Sequence, residues 1–230
     1  MSCQSLPIRK AKVDSSPALC MASHIYMIKN IIFDLGNVLL DQKTITADVY
    51  FATVLKIPKI DSELFYKKYK SDAITGNISF NSLTKLYKDN FKSALSIKQI
   101  IEEYKQLYIN DVREINDNLL DLVSQLGKRY SIYIMTNTLE PHFEHWKTLG
   151  FDTYFKRIFR SDTDHFIKPE KQAYEFVAQE IGANPGECVF IDDLKENVQG
   201  AVQTGMKGVI FTDFMTLVTD LARMGVMAGP

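Results

Sequence analysis

The apolar and polar positions of this chain change their period along its length, and the first clear element is a strand. Residues 31–41 read I-I-F-D-L-G-N-V-L-L-D, so an apolar run leads into Asp34. A nearly continuous apolar run is typical of a parallel strand that is buried on both faces. Because ligands bind beyond the carboxyl ends of strands in open α/β sheets, Asp34 lies where a ligand-binding or catalytic residue is expected. A single aspartate at a strand end more often caps the next helix, so its interpretation depends on the rest of the chain.

Between residues 43 and 112 the apolar positions recur at helical spacing, and no strand pattern interrupts them. Helices are predicted to begin after Ser79 and Ser96, since serine is a favoured N-cap residue and apolar residues follow at helical intervals. This segment is therefore predicted to be all-helical. Its lysines are interpreted as a solvated helix surface and its tyrosines as packing residues; these are Lys67, Lys68, Lys70, Lys85, Lys88, Lys92, Lys98 and Lys105, and Tyr66, Tyr69, Tyr104 and Tyr108.

From residue 113 onwards strand and helix patterns alternate, which indicates a parallel sheet. Further strands are predicted at residues 130–135, 157–159, 188–191 and 208–211. The fold class is therefore α/β, with a sheet core formed by residues 26–42 and 113–230 and an all-helical unit inserted at 43–112. Residues 1–25 show neither period and are predicted to be a disordered N-terminal extension.

Composition and charge exclude several classes of function. The chain has 46% apolar and 24% charged residues with a net charge of −1, so it shows no electrostatic footprint for nucleic acid or an anionic membrane. No apolar run approaches the roughly 20 residues that a membrane span needs. Three cysteines form no closely spaced framework, which favours a reducing, cytoplasmic setting. We expect a monomer or homodimer whose partner is a small molecule.

Polar residues follow the predicted strands at four points. Asp34, Thr136 and the pair Asp192 and Asp193 each follow an apolar strand directly, and Lys168 lies on the loop after another strand. All of these loops open on the same edge of a parallel sheet. A carboxylate, a hydroxyl, an ammonium and a carboxylate pair are therefore predicted to converge on one site.

These four segments, in this order, resemble the motifs of the haloacid dehalogenase superfamily, most of whose members are phosphatases. The resemblance covers residues 27–212. Within the superfamily, the sequence D-L-G-N-V is similar to a capped branch that includes sugar-1-phosphate phosphatases. It implies a Rossmann-like core, a helical cap at 43–112, and an aspartyl-phosphate formed on Asp34 with Lys168 neutralising charge. It also implies phosphate binding by Thr136, Asn137, Leu35 and Gly36, and a Mg²⁺ site formed by Asp34, Gly36, Asp192 and Asp193, with Asn197 on the following helix.

The chemistry of phosphoryl transfer agrees with this set of residues. Its transition state is loose and spreads charge over the phosphoryl oxygens, so catalysis is mostly positioning and neutralisation of charge. A carboxylate nucleophile divides one hard displacement into two easier ones. Mg²⁺ prefers oxygen ligands in octahedral geometry, which carboxylates and a backbone carbonyl supply.

Gly36 departs from the family pattern, because most phosphatases of the superfamily have a second aspartate there as general acid. Loss of general acid catalysis costs roughly 10²–10⁴ in rate, so substrates with good leaving groups are favoured. His142 and His165 have useful imidazole chemistry, but we interpret both as partly exposed surface residues.

Two alternatives to a Mg²⁺-dependent phosphatase stay open. A metal-independent 2-haloacid dehalogenase would use Asp34 to attack carbon, but repulsion from Asp192 and Asp193 would then be unrelieved. A catalytically impaired binding or regulatory module is supported only by Gly36. The sequence therefore favours a phosphatase acting on a small phosphorylated metabolite, such as a sugar phosphate.

Overall fold

Five parallel strands form the central sheet of the protein, in a computed structural model that describes residues 26–42 and 46–227. Their spatial order is β5-β4-β1-β6-β7, which places the first strand of the chain in the middle. The strands are β1 (Asn30–Phe33), β4 (Ser131–Thr136), β5 (Arg157–Arg160), β6 (Cys188–Asp192) and β7 (Lys207–Ile210). The predicted α/β fold and parallel sheet are confirmed, and residues 1–25 lie outside the described part of the chain.

Helices cover both faces of this sheet, since successive side chains of a strand point to opposite faces. Ile31 and Phe33 of β1 belong to one buried apolar cluster, and Ile32 between them belongs to a second cluster on the other face. The core helices are α6 (Asp117–Leu126), α7 (Glu140–Lys147), α8 (Ser161–Asp164), α9 (Lys171–Glu180), α10 (Lys195–Gln203) and α11 (Phe214–Arg223). Both faces of β1 are buried, which explains its unbroken apolar sequence.

A helical insertion separates β1 from the other strands of the sheet. It consists of α1 (Ala47–Leu55), α2 (Lys59–Lys67), α3 (Lys70–Ile74), α4 (Phe80–Asn90) and α5 (Ile97–Asp111). Ser79 and Ser96 cap α4 and α5 as predicted, each accepting a hydrogen bond from a backbone N–H of the first turn. Aromatic rings fill its interior, where Phe51 stacks on Tyr87 with centroids 4.0 Å apart.

Two short antiparallel strands join the insertion to the core, and the sequence pattern did not predict them as a pair. They are β2 (Leu40–Gln42) and β3 (Val112–Ile115). Their pairing brings together residues at least 70 positions apart, and Leu40 lies opposite Ile115. The helices α8 and α11 were likewise not predicted. Within the described ranges, no helix combines the length and apolar character needed to cross a membrane.

The insertion also contacts the core directly, away from this ribbon. The Lys105 ammonium lies 2.7 Å from the Glu144 carboxylate of α7. Gly76 adopts a φ of +71° against the backbone carbonyl of Asp162, at a distance where a Cβ would collide with that oxygen. Next to it, His165 Nδ1 lies 2.7 Å from the Thr75 carbonyl oxygen. The insertion is therefore held over the carboxyl edge of the sheet.

Candidate active site

The three central strands bring the predicted residues together at the carboxyl edge of the sheet. Phe33 of β1 lies opposite Ile134 of β4 and Ile191 of β6, so the residues that follow these positions emerge side by side. The Asp34 backbone N–H donates to the Ile191 carbonyl 2.8 Å away, which fixes the start of the loop. Because the register is set by buried apolar residues, the polar residues at the strand ends converge.

Lys168 connects two of these carboxylates from the loop that follows β5. Its Nζ lies 2.6 Å from Asp34 Oδ1 and 2.7 Å from Asp192 Oδ2, and the lysine side chain is only 2% exposed. Burial alone would lower the pKa of Lys168, but the adjacent carboxylates outweigh it and raise this pKa above its ordinary value. The charged form of the Lys168 amine is therefore favoured, and it lies within hydrogen-bond distance of the carboxylates of Asp34 and Asp192.

Both carboxylate oxygens of Asp192 accept hydrogen bonds from other groups of the protein. Its Oδ1 accepts from the Leu194 backbone N–H at 2.9 Å, and both of its oxygens accept from Asn197 Nδ2 at 3.0 Å. Together with the Lys168 ammonium, these donors occupy the carboxylate on all sides. Asp192 thus holds the lysine in place, and the neighbouring Asp193 is the more accessible carboxylate of the pair.

The charge of Asp34 depends on its surroundings. Burial raises the pKa of Asp34 to about 7, against the lowering effect of Lys168, and the nearby charge of Asp192 raises it further. Burial and Asp192 also raise the pKa of Asp193. One oxygen atom each from Asp34, Asp192 and Asp193 lies within 4.8 Å of the other two. A cluster of oxygen donors with mutual repulsion fits a hard divalent cation such as Mg²⁺.

The loop after Asp34 turns back on itself directly beside this cluster. The Leu39 and Leu40 backbone N–H groups both donate to the Leu35 carbonyl at 3.0 Å. Asn37 adopts a left-handed φ of 55°, which asparagine tolerates better than most residues, and its side chain donates to Asp193 Oδ2 at 3.3 Å. Gly36 lies in this turn and lines the same cavity as Asp34.

Thr136 and Asn137 end β4 on the other side of Asp34. Thr136 is buried and lines the cavity. The Asn137 side chain contacts the Lys168 backbone: its Nδ2 donates to the Lys168 carbonyl and its Oδ1 accepts from the Lys168 N–H, both at 2.9 Å. Asn137 therefore positions the lysine loop, and it also lines the cavity where phosphate binding is predicted.

A cavity of about 290 Å³ lies between these residues and the helical insertion. Its floor contains the predicted site residues Asp34, Gly36, Thr136, Asn137, Lys168 and Asp193. The insertion contributes Thr46, Ala47, Tyr66, Lys70, Ile74 and Tyr108. Tyr66, Tyr108 and Lys70 were interpreted as packing or solvated residues, and helical periodicity alone could not place them against a cavity of another unit.

His142 and its aromatic neighbours form one wall of this cavity. The His142 ring lies parallel to the Tyr108 ring with centroids 3.8 Å apart, and its Nε2 is 2.9 Å from the Tyr104 hydroxyl oxygen. Trp146 Nε1 donates to the Tyr108 hydroxyl at 2.7 Å. His142 is half-buried and faces the cavity, whereas His165 is exposed and contacts Thr75. The role of His142 was not predicted, because its ring partners come from a distant helix.

The stability of the protein is expected to depend on pH through His142. Burial lowers the pKa of His142 to about 3, while in an unfolded chain it is about 6.5, so below pH 6.5 the unfolded state binds the extra proton. His142 thus contributes stability that is fully present above pH 6.5 and is lost as pH falls toward 3. Relative to His142→Phe, the wild-type free energy of unfolding should fall by roughly 2 kcal/mol between pH 8 and pH 5.

Urea denaturation of both proteins across this pH range measures the difference. Tyr104 and Tyr108, which pack on the ring, do not titrate there because burial raises the pKa of each phenol. Parallel curves for the wild type and His142→Phe would contradict the assignment of a neutral, buried imidazole.

A parallel sheet with a buried aspartate–lysine–aspartate cluster at its carboxyl edge, beneath a helical insertion, is the architecture of a hydrolase with an enclosed active site. The chain belongs to the haloacid dehalogenase-like hydrolase family, whose model matches residues 28–205. The resemblance stated from the sequence motifs and the expectation of a hydrolase are therefore confirmed.

Individual relatives agree with this assignment. The D-ribitol-5-phosphate phosphatase of Bacteroides thetaiotaomicron is 25% identical over 193 residues, which cover 79% of this chain and 90% of the relative. The structure of a family enzyme from that organism, in complex with magnesium and inorganic phosphate, is 23% identical with a TM-score of 0.69 and covers 83% of this chain and 98% of its own. A 2-haloacid dehalogenase from Pseudomonas syringae gives a TM-score of 0.60 at 18% identity, covering 79% and 85%. These two structures support the fold alone.

Proposed function

We propose that this hydrolase is a Mg²⁺-dependent phosphatase that acts on a small phosphomonoester, such as a sugar phosphate, through an aspartyl-phosphate on Asp34. The observation that carries this proposal is the contact between the Asp34 carboxylate and the buried Lys168 ammonium at the floor of the cavity. The phosphatase activity named for the relative from B. thetaiotaomicron supports the class of substrate.

Asp34 is the nucleophile in this proposal. One of its carboxylate oxygens attacks phosphorus, the bond between phosphorus and the ester oxygen breaks, and the ester oxygen leaves as an alkoxide or phenolate that takes its proton from water. Water then attacks the phosphorus of the acyl phosphate, which releases inorganic phosphate and restores the carboxylate. Because burial raises the pKa of Asp34 to about 7, positive charge beside it is needed to keep it ionised.

Asp34, Asp193 and the Gly36 carbonyl are the groups that would hold Mg²⁺. The ion supplies positive charge that offsets repulsion between the carboxylate and the phosphate. Asp192, predicted as a further ligand, is occupied by Lys168 and Asn197, so we assign it the task of fixing the lysine. The two roles agree with the exposure of the two carboxylates: the Asp192 side chain is 0% exposed, whereas Asp193 is half-buried.

Lys168 and Thr136 would bind the phosphoryl oxygens from the core side of the cavity. The ammonium neutralises charge on both the nucleophile and the incoming phosphate, and the Thr136 hydroxyl donates a hydrogen bond. The backbone N–H groups of Leu35 and Gly36 are further donors predicted for the same phosphate. The helical insertion would act as a cap that excludes water and contacts the leaving group.

The leaving group receives no proton from an acidic side chain at Gly36. Burial lowers the pKa of His142, which disfavours the imidazolium form that could replace this acid. The rate should therefore depend on how basic the leaving alcohol is.

We also propose a cytoplasmic location, which the buried, free thiol of Cys188 supports.

We expect hydrolysis of phosphomonoesters in Mg²⁺ and none in EDTA, with a rate that falls steeply as the leaving alcohol becomes more basic. The absent general acid should cost roughly 10²–10⁴ in rate for alkyl relative to aryl esters. Initial rates of phosphate release over a panel of aryl, sugar and alkyl phosphates measure this slope.

Three outcomes would count against parts of this proposal. A rate independent of leaving-group basicity would reveal a proton donor that we have not identified. Chloride release from 2-chloropropionate without metal would favour the dehalogenase. Phosphate binding, measured by calorimetry, without turnover of any ester would favour a module that has lost catalysis.

A further inference from the structure

The cavity above Asp34 has one wall that the phosphate chemistry does not use. His142 lies near the start of α7 and lines this cavity together with Tyr108 and Trp146. Apart from the imidazole nitrogens, this wall presents mainly aromatic surface. A wall opposite the phosphate site contacts the alcohol part of a substrate, so its polar groups influence which alcohols fit.

The orientation of the His142 ring is fixed from two sides. The Tyr108 ring stacks on it at a centroid distance of 3.8 Å with 8° between the planes, and the Tyr104 ring lies on it at 5.8 Å and 13°. The Tyr104 hydroxyl oxygen is 2.9 Å from Nε2. Stacking and the hydrogen bond together leave the ring a single orientation.

The Tyr104 hydroxyl also determines which ring nitrogen of the neutral His142 imidazole carries the proton. Its side chain is fully buried, and among the described residues its hydroxyl has no hydrogen-bond partner other than His142 Nε2. A buried hydroxyl proton needs an acceptor, so the phenol donates to Nε2. Nε2 is then an acceptor, and the ring proton of the neutral imidazole is on Nδ1.

The Nδ1–H group points to a site reachable by solvent. Within the described part of the chain, Nδ1 makes no hydrogen bond, although every buried side-chain nitrogen or oxygen there has a partner. Nδ1 is therefore accessible to solvent, and His142 is one of the residues that line the cavity. The result is one fixed, uncharged donor on an aromatic wall.

We propose that His142 is a specificity-determining residue whose Nδ1–H donates a hydrogen bond to a hydroxyl oxygen of the substrate's alcohol part, so that kcat/KM for polyol and sugar phosphates is higher than the basicity of their leaving groups alone would give. This inference rests on the phosphatase proposed above. A hydroxyl oxygen suits an uncharged donor flanked by aromatic rings, because its hydrogen bond replaces the water lost on burial. A site built around a substrate hydroxyl rejects analogues that lack it.

The test compares kcat/KM for ribitol 5-phosphate and glucose 6-phosphate with kcat/KM for phenyl phosphate. His142→Phe keeps an aromatic ring against Tyr108 but removes the donor. We expect the ratio of kcat/KM for the polyol or sugar phosphate to kcat/KM for phenyl phosphate to fall roughly 10- to 100-fold from its wild-type value, because the substrate hydroxyl is left without a partner. His142→Asn, which restores an N–H near the position of Nδ1, should recover part of the ratio. His145→Phe, one turn along the same helix, is the matched control and should not change it.

Tyr104→Phe provides a second route to the same conclusion and serves even if His142→Phe fails to fold. It keeps the ring stack but removes the hydroxyl that fixes the tautomer, so the ratio should fall by less than in His142→Phe. An unchanged ratio in both variants would overturn the inference while leaving phenyl phosphate hydrolysis, and hence the phosphatase, in place. A wild type that hydrolyses none of these esters would overturn both proposals.

Discussion

The Asp34→Asn variant is expected to lose phosphatase activity by a factor on the order of 10⁴ or more. The amide has nearly the same shape as the carboxylate but is a far weaker nucleophile, so no aspartyl-phosphate forms. It also removes one of the charges that hold the Lys168 ammonium, which is 2.6 Å from Asp34 Oδ1. Initial rates with phenyl phosphate at saturating Mg²⁺ measure the loss.

A matched control separates this effect from a general loss of charge. Asp89→Asn removes a carboxylate that pairs with Lys85 on the exposed surface of α4, and it should retain wild-type activity. Melting temperatures establish that both variants fold. Acid quenching during turnover of radiolabelled substrate should trap a phosphorylated wild type but no phosphorylated Asp34→Asn. Residual activity above about 1% would mean that water attacks the ester directly, since a missing nucleophile leaves far less.

The sheet could be predicted from the sequence because its signal is local. The β1 and β6 strands are buried on both faces, so each reads as an apolar run that ends in an aspartate. Serine caps marked the starts of α4 and α5 in the same way. The convergence of Asp34, Thr136 and Asp192 then follows from parallel topology, which needs no knowledge of side-chain contacts.

The β2–β3 ribbon could not be predicted in this way. Its strands are three and four residues long and carry polar residues such as Asp41 and Glu114. Each strand forms only because the other, at least 70 residues away, supplies its hydrogen bonds. Long-range pairing of this kind leaves no periodic trace in either segment. For α11, in contrast, an N-cap at Asp213 and helical apolar spacing were present, and no prediction was made.

The detailed roles of the site residues depend on contacts that spacing does not encode. Asn137 was predicted to bind phosphate, and its side chain also holds the Lys168 backbone. Asp192 was predicted to bind metal, and its oxygens also accept from Lys168 and Asn197. His142 has partners on α5, a helix of the insertion. Sequence therefore identified which residues meet, and the structure was needed to distinguish those that face the cavity from those that support them.

The Lys168→Met variant is expected to lose both activity and stability, and the two losses have different causes. Activity should fall on the order of 10³-fold or more, because no cationic side chain then neutralises the phosphate and the nucleophile. The free energy of unfolding should fall by about 3–5 kcal/mol at pH 8, since removing one partner leaves buried charges uncompensated. Asp34 and Asp192 lie within 2.7 Å of the ammonium and are the groups concerned.

The pH dependence of this stability loss has a definite sign. Without the ammonium, the lowering effect of Lys168 on the pKa of Asp34 is lost, so this raised pKa rises further and the folded variant binds protons more tightly than the unfolded chain. A raised carboxyl pKa makes folding less favourable as pH rises. The deficit of Lys168→Met relative to wild type should therefore shrink as pH falls from about 8 to 5. Denaturation in EDTA keeps divalent cations from masking it.

A double variant separates the structural role of Lys168 from its catalytic one. Adding Asp192→Asn to Lys168→Met removes the more deeply buried carboxylate, so stability should partly recover, while activity should not. Lys171→Met is the matched control: this lysine lies three residues further on, is 53% exposed, and pairs only with Glu175 at i,i+4 spacing, so its loss should change stability by less than about 0.5 kcal/mol. Recovery of activity in the double variant would show that Lys168 serves only to balance Asp192. Equal stability of Lys168→Met and wild type at pH 8 would show that the buried carboxylates do not need it.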